Sequence, residues 1–558
     1  MKAKTTLILC LCLVLGIAVG AYFWATGMMD SLYEFRSPIK NTPPPAGEAL
    51  NPAQTQLSDG GHSPRRVVFI LVDALRLDTS LDPQVMPVLN DLRASGASAV
   101  MRSQPPSYSE PGYSTLFTGA WPYLNDGPAL NLPYEEIPTW TQDNLFSVLH
   151  DAGIKTALSA YYWFEKLIPQ KAVDASFYTA GEDRLADEQV VDHALRWLED
   201  PAYRFVFIHL DQLDYAGHYE GGPLDPRWAE AAARCDKAIG QIAGQLDFSQ
   251  DMLVIASDHG QIDAGGHGGH DPVTLLEPVV FAGAGVQPGV YDDIQMVDLA
   301  PTLAALFGAR LPASTQGQVQ TAMFTLSPET LHRLPGLTLI QQNRLMRGYL
   351  SAIGAEIDEA RLSGAYNVPG FQAILEDARA DRTNQGRLSR AFLVCLLIAV
   401  PWVLLAYYRP RRWLYYTGGG LLAIALFHLR YALLDGLAYS LSPVISATDL
   451  IVYLALTAAV ALLVAWLVLF FLLKLYRAQP LQAALETIVF VVCTLSLLGL
   501  PIAWNYIVNG LLITWTLPAF GTSFVGLISL IQALVTALAG MLFSGLAAFI
   551  AWLVQRID

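Results

Sequence analysis

The chain has 558 residues, of which 53% are hydrophobic, and a formal net charge of −15. That length exceeds one ordinary core and that apolar share exceeds what an all-soluble protein carries, so membrane spans are expected. The acidic balance, without a basic face, argues against nucleic acid as a partner.

The first predicted element is TTLILCLCLVLGIAVGAYFWA, an apolar stretch of spanning length behind Lys2 and Lys4. It runs into aromatics without a small-x-small cleavage site, so residues 1–29 read as a cytoplasmic tip and an uncleaved anchor rather than a signal peptide. Residues 30–64, rich in Pro, Gly and Ser towards their end, read as a linker. From 65 to 326 short β-branched or aromatic runs (VVFILV, KTALSAYY, FVFIHL, MLVIAS) alternate with amphipathic segments (VMPVLNDLRASG, NLFSVLHDAG, DEQVVDHALRWLE, AEAAARCDKAIGQIAGQL). Such alternation predicts an α/β domain, a mostly parallel sheet with helices on both faces. Residues 327–389 are more polar and helical in pattern, a connecting segment that returns the chain to the bilayer.

From residue 390 to 558 apolar runs recur at 391–408, 413–434, 450–473, 484–504 and 524–554, which predicts a C-terminal membrane bundle of about five spans. A weaker apolar stretch at 506–520 leaves a sixth open. With five, Arg409, Arg411, Arg412, Lys474, Arg477 and Arg556 share one side, and Lys2 and Lys4 join them only if the 30–388 region lies opposite, outside the cytoplasm. Only Cys235 lies in that outer region, so no disulfide framework is available there. The outer region also lacks an Asn-x-Ser/Thr acceptor. A bacterial inner membrane, with the domain facing the periplasm or exterior, is the expected setting; an endoplasmic reticulum membrane facing the lumen is the alternative.

Three acid-and-histidine clusters each follow a strand-like run: Asp73 in VDALRLD, Asp214 and His218 in DYAGH, and Asp258, His259 and His267 in SDHGQIDAGGH. Open α/β sheets bind ligands beyond the carboxyl ends of their strands, so separate stretches of sequence can converge there. Each cluster alone has a plain reading, as helix cap, turn residue or flexible glycine loop. Together, side chains this costly to bury point to a metal centre. The number of carboxylates and imidazoles exceeds one tetrahedral zinc, and two divalent cations suit in-line displacement at phosphorus. His270, in GGHGGH, is either an alternative ligand, a substrate contact at the rim or a surface residue. The nucleophile this chemistry needs is sought in PPSYSEPGYSTLFTG, where Ser109 reads either as a helix cap or as a serine activated at a helix end beside a cation. Ser107, Ser114 and Thr115 compete with it. Arg430, inside a predicted span, reads as a snorkelling cation or as a clamp on a lipid phosphate.

At these motifs the chain resembles the alkaline phosphatase superfamily, its type I phosphodiesterase/nucleotide pyrophosphatase branch, and most closely the GPI ethanolamine phosphate transferases. VDALRLD is similar to the family's VDGLRxD-type strand end, with Ala74 where Gly is usual, and SEPGYSTLFTG fits the nucleophile spacing at Ser109. DYAGH and SDHGQ match its DxxGH and DHG elements, with His267 at the following histidine. The likeness covers about residues 65–310, and the order of anchor, outer domain and bundle resembles the same transferases, though the short bundle suits a prokaryotic relative. The resemblance implies Asp73, Ser109, Asp258 and His259 at one metal and Asp214, His218 and His267 at the other. It implies zinc, while the mixed ligands would also accept manganese. It further implies transfer of phosphoethanolamine from a donor such as phosphatidylethanolamine, through a covalent phospho-serine, to a glycan or glycolipid hydroxyl. A membrane-tethered phosphodiesterase, nucleotide pyrophosphatase or phosphatase transferring to water is the alternative.

Overall fold

The computed structural model describes residues 2–40, 43–48, 64–408, 412–444 and 446–557. Its centre is a nine-stranded mixed sheet: β1 (Arg66–Val72), β2 (Ala97–Arg102), β3 (Thr156–Tyr161), β4 (Ala175–Thr179), β5 (Phe205–Leu210), β6 (Asp251–Ala256), β7 (Leu276–Gly283) and the two-residue strands β8 (Gly289–Val290) and β9 (Ile294–Gln295). The order is β4-β3-β5-β1-β6-β7-β2-β8, with β9 also pairing β2. All pairings are parallel except those of β7 with β6 and β2. The sheet is thus mostly parallel, as the βαβ alternation implies, with one reversed strand.

β1, β5 and β6 form the middle of the sheet and are buried along their whole length, because both faces are covered. Alternate residues of β1 serve two cores. Val67, Phe69 and Leu71 join an aromatic cluster with Phe117, Phe146 and Phe207 on one face; Val68, Ile70 and Val72 join Val190, Ile208 and Ile239 on the other. Helices Ser109–Thr118, Leu145–Asp151 and Leu299–Leu306 cover the first face, and Pro87–Ser95, Arg184–Leu198 and Pro226–Ala243 the second. Sequence sets their starts: Asn144 and Ser147 form a reciprocal cap, Asp183 accepts from Leu185 and Ala186 N–H, and Asp225 from Arg227 N–H ahead of Pro226. Each buried Val, Leu, Ile or Phe contributes about 1.5–3 kcal/mol relative to exposure, which is what holds the strand ends in register.

The protein is an integral membrane protein. Five described helices, Ala3–Tyr33, Trp413–Leu434, Ala447–Leu472, Pro480–Asn509 and Phe520–Ile557, are long and apolar enough to cross a bilayer. The run expected at 391–408 falls on a further helix, Arg387–Tyr408, many of whose side chains lie outside the described residues, as do Arg409 and Arg411. The stretch at 506–520 is not another span: the helix before it ends at Asn509 and the next begins at Phe520, with a non-helical link between.

Arg412 pairs with Glu486 at 2.8 Å near the start of helix Pro480–Asn509, and Gln555 near the C-terminus bonds the carbonyl of Ala478. These contacts gather Arg412, Lys474, Arg477 and Arg556 at one end of the bundle. The other end meets the α/β domain, where Gly521 packs against the His270 ring.

Candidate metal centre

The register of the central strands explains why three distant stretches meet. Val72 pairs with Leu210 and Leu71 with Ala256, so β1, β5 and β6 end at one level, and Asp73, Asp211 and Asp258 follow within two residues of those ends. Ala74 adopts a left-handed backbone, φ 61°, which costs a residue with a Cβ about 1 kcal/mol. In return its N–H donates to Asp258 Oδ1 at 3.3 Å, joining the first cluster to the third.

Four donor atoms converge beyond these strands. His259 Nε2 lies 3.3 Å from Asp73 Oδ1, 3.3 Å from Asp258 Oδ2 and 3.2 Å from Ser109 Oγ. His259 Nδ1 sits 3.1 Å from the carbonyl of Gly260, a group that can only accept, so Nδ1 carries the ring proton and Nε2 presents a lone pair. Asp73 Oδ1 and Asp258 Oδ2 are buried acceptors without a hydrogen-bond donor among the described residues. Lone pairs facing one another in a dry site are what a divalent cation satisfies, and Asp73, Asp258 and His259 have one donor atom each within 4.8 Å of one another.

A second cage adjoins it. Asp214 lies 3.3 Å from His218 Nε2 and 3.4 Å from His267 Nε2, and the two nitrogens are 2.9 Å apart. His267 Nδ1 donates to the carbonyl of Ser107 at 3.0 Å, leaving its Nε2 free to ligate, while Gln261 donates to Asp214 Oδ1 at 2.6 Å. The His259 and His267 rings stack with centroids 3.9 Å apart and so link the cages. The residues present therefore fit metal binding at both places.

Electrostatics agree with the geometry. Burial pushes Asp73 and Asp258 upward, and each is pushed further by neighbouring carboxylates, a repulsion a cation would relieve. Burial also lowers His259 well below the usual imidazole range and His267 to about 4, so both rings are neutral, the ligating form. Burial would raise Asp214, yet the facing His218 and His267 hold it well below the usual carboxylate range; the Asp214 carboxylate in turn raises His218 to about 9.

The four hydroxyls that compete as nucleophile occupy different settings. Ser107 Oγ donates within the 269–274 loop and accepts from Gly268 N–H; Ser114 Oγ donates to the Glu110 carbonyl and accepts from Trp140; Thr115 Oγ1 donates to the Pro111 carbonyl. Ser109 opens its helix after Tyr108 and makes no capping bond. Its Oγ faces His259, with Asn131 Nδ2 3.4 Å away.

A model of the type I phosphodiesterase / nucleotide pyrophosphatase family matches residues 67–319. That stretch is similar to the family. Curated relatives include mouse GPI ethanolamine phosphate transferase 3, catalytic subunit, 25% identical over 296 residues (48% of this chain, 26% of the relative). Human GPI ethanolamine phosphate transferase 2, catalytic subunit, is 26% identical over 274 residues (46% and 27%). The yeast Saccharomyces cerevisiae GPI ethanolamine phosphate transferase 2 is 23% identical over 399 residues (62% and 46%). The matched stretch thus spans about a quarter of the mouse and human relatives and under half of the yeast one. Among solved structures, murine ectonucleotide pyrophosphatase / phosphodiesterase 5, inactive and in complex with AMP, gives a TM-score of 0.41 at 14% identity, covering 47% of this chain and 100% of that one. The matched stretch is thus similar to enzymes of the phosphodiesterase and ethanolamine phosphate transferase kind, and its buried acid-and-histidine groups are ones that could hold metal ions.

The α/β domain also brings to the site residues that the sequence motifs do not single out. His209, in β5, lies 3.0 Å from Asp73 Oδ2, and the Tyr113 hydroxyl donates to the same oxygen. Asp73, His209 and Asp211 form a third close group, with Asp187 accepting from Asp211 N–H. The available signal was a histidine inside the otherwise apolar FVFIHL. His270 is exposed and outside the cages; its N–H lies 3.3 Å from Ser440 Oγ. Beside it, Asp271 accepts from Ser440 and Ser442, and Gly269 N–H donates to Ser442, so the loop carrying His267 is fastened to the membrane bundle. Arg430 is exposed on the bundle, 3.3 Å from Asp435 and over the Tyr453 ring.

Proposed function

We propose that this protein is a metal-dependent phosphoethanolamine transferase that moves a head group from a phospholipid such as phosphatidylethanolamine to a glycan or glycolipid hydroxyl. The observation that carries the reading is Ser109 Oγ, the one of four nearby hydroxyls that faces the acid-and-histidine set, in a domain whose His267 loop is fastened to a membrane bundle. Asp73, Ser109, Asp258 and His259 would hold one divalent cation, and Asp214, His218 and His267 another. Bound there, zinc or manganese ions would favour the Ser109 alkoxide and neutralise charge on phosphoryl oxygens.

The chain's own residues supply the rest. Ser109 Oγ, its proton released to solvent, attacks the donor phosphorus; an O–P bond to serine forms and the bond to the diacylglycerol oxygen breaks, that oxygen taking up a proton from solvent. Asn131 Nδ2, beside Ser109, is placed to donate to a nonbridging oxygen. The acceptor hydroxyl then attacks the phospho-serine: its oxygen bonds phosphorus, the bond from phosphorus to Ser109 Oγ breaks, and the acceptor's proton passes to Ser109, which is regenerated. Ser109 and His267 are 3% and 4% exposed, so little water competes in the second step. The domain faces the periplasm or exterior of a bacterial cell in this reading, opposite the basic end of the bundle.

The family match favours one second reading, a tethered phosphodiesterase that passes the intermediate to water. Incubating purified protein with labelled phosphatidylethanolamine, with and without membrane glycolipid, and weighing lipids and protein by mass spectrometry separates the two. The transferase reading expects labelled serine alone and labelled glycolipid when acceptor is added; free phosphoethanolamine in both arms favours the hydrolase. No label on Ser109 in either arm overturns both.

A further inference from the structure

A cavity of about 520 Å³ lies where the connecting helices enter the bundle, on the α/β-domain side and apart from the metal centre. Arg379, Arg382, Arg387 and Arg390 line it, together with Trp515 in the link after Asn509. Its one lining carboxylate, Glu376, pairs with Arg379 at 3.0 Å. Among the described residues the other three arginines have no carboxylate partner. Arg390 donates to the carbonyls of Gly386 and Tyr506, Arg382 donates to the carbonyl of Ile353 and stacks 4.5 Å from Trp515, and Arg387 donates to Asn384 while its Nε is buried without a partner. Neutral carbonyl bonds orient a guanidinium and leave its charge uncompensated. Three such charges in one cavity are costly in the absence of an anion, and they stand out in a chain of net charge −15.

The basic end of the bundle explains Arg412, Lys474, Arg477 and Arg556 by topology, but these arginines sit at the other end, where topology does not call for them. Next to the cavity runs an apolar furrow of about 360 Å³ between helices, walled by Trp24, Leu393, Ile502, Tyr506 and Leu511. The two share the 506–512 region, since Arg390 bonds Tyr506 and Leu512 lines the first while Leu511 lines the second. A charged recess opening onto an apolar furrow at a membrane boundary has the form of one amphiphile.

We propose that this cavity binds an anionic phospholipid, its phosphate held by Arg382, Arg387 and Arg390 and an acyl chain laid in the furrow. The site is separate from the metal centre, and the proposal does not depend on which acceptor that centre uses.

The test uses the full-length protein in detergent, with phosphatidylglycerol added and retention read by native mass spectrometry. One phosphatidylglycerol per chain is expected, with affinity lowered about tenfold or more in Arg387→Gln/Arg390→Gln and largely kept in Arg387→Lys/Arg390→Lys. A photoactivatable phosphatidylglycerol should label the wall peptides around Leu393 and Leu511, which keeps the test open if the double variant folds poorly. Ser109→Ala should retain the lipid undiminished, so failure of the transferase reading leaves this result standing. Unchanged retention in the Gln variant, labelling elsewhere, or loss of the lipid in Ser109→Ala would each overturn the proposal. So would displacement by inorganic phosphate with no binding of phosphatidylglycerol, which would make it a free-anion site.

Discussion

The two cages share a wall but are built differently. The inner one, Asp73, Asp258 and His259, is at most 1% exposed and stands on the ends of paired central strands. The outer one takes Asp214 and His218 from a helix and His267 from a glycine loop, and the side chains of Asp214 and His218 are 15% and 21% exposed. Sheet register thus makes the inner cage part of the folding core, whereas the outer cage is assembled from pieces with separate supports. The outer cage should accordingly lose its ion first, and substrate should enter from its side.

The largest expected effect falls where the cages meet. Ser109→Ala should lower turnover by about a thousandfold or more, since loss of a covalent nucleophile removes the route itself. Metal content should stay near wild type because the carboxylates and imidazoles remain. Activity within about tenfold of wild type would reject Ser109, and Ser107 would be tested next.

Next in size is the contrast between the histidines of one loop. His267→Ala should release about one equivalent of metal, the outer one, on gel filtration followed by elemental analysis. His270→Ala should keep both, because its ring lies against Gly521 rather than Asp214. The reverse result would exchange the two roles. Asp271→Ala tests the loop's anchorage to Ser440 and Ser442 without touching a ligand; about a tenfold loss of affinity confined to the outer ion is expected. An equal loss at both ions would show that the cages are one unit.

A smaller, pH-dependent difference distinguishes the cages in metal-free protein. His218 is raised to about 9 by Asp214, against an ordinary value near 6.5. The folded state therefore binds the extra proton between those values, and the stabilisation is fully present below about 6.5 and lost as pH rises through about 9. His267, lowered to about 4 by burial, acts in the other direction: stability falls as pH drops from about 6.5 towards 4. Thermal unfolding in a chelator should thus show His218→Gln less stable than wild type at pH 6 and equal to it at pH 10. A gap that persists at pH 10 would assign the loss to packing.

Much of this arrangement could be read from the residues. VVFILV, FVFIHL and MLVIAS are apolar throughout because their strands are buried on both faces, and the acids after them can lie only at strand ends. What periodicity could not supply was register: that Leu71 pairs with His209 and so brings an imidazole to Asp73 is a fact about neighbouring strands, not about FVFIHL itself. β2 and β7 were missed for a related reason, since ASAVMR carries little apolar alternation and β7 holds a Pro and a buried Glu277. Among the hydroxyls of PPSYSEPGYSTLFTG, composition offers no choice; the carbonyls that engage Ser114 and Thr115 exist only once the helix has formed.

The smallest effect concerns the inner cage alone. Ala74 stands where the family motif usually has Gly, and its φ of 61° is one that a Cβ disfavours by about 1 kcal/mol. Ala74→Gly removes that strain but gives the unfolded chain more freedom, which offsets about 0.4–1 kcal/mol. The net change in stability should lie within about 1 kcal/mol of zero, read from denaturant midpoints at unchanged slope. The Ala74 N–H to Asp258 bond is a backbone contact and should survive, so inner-ion affinity should not move. If Ala74→Gly weakens the inner ion while leaving the outer one intact, the methyl group is what holds the Asp73 turn in place, and the inner cage depends on a side chain as well as on sheet register.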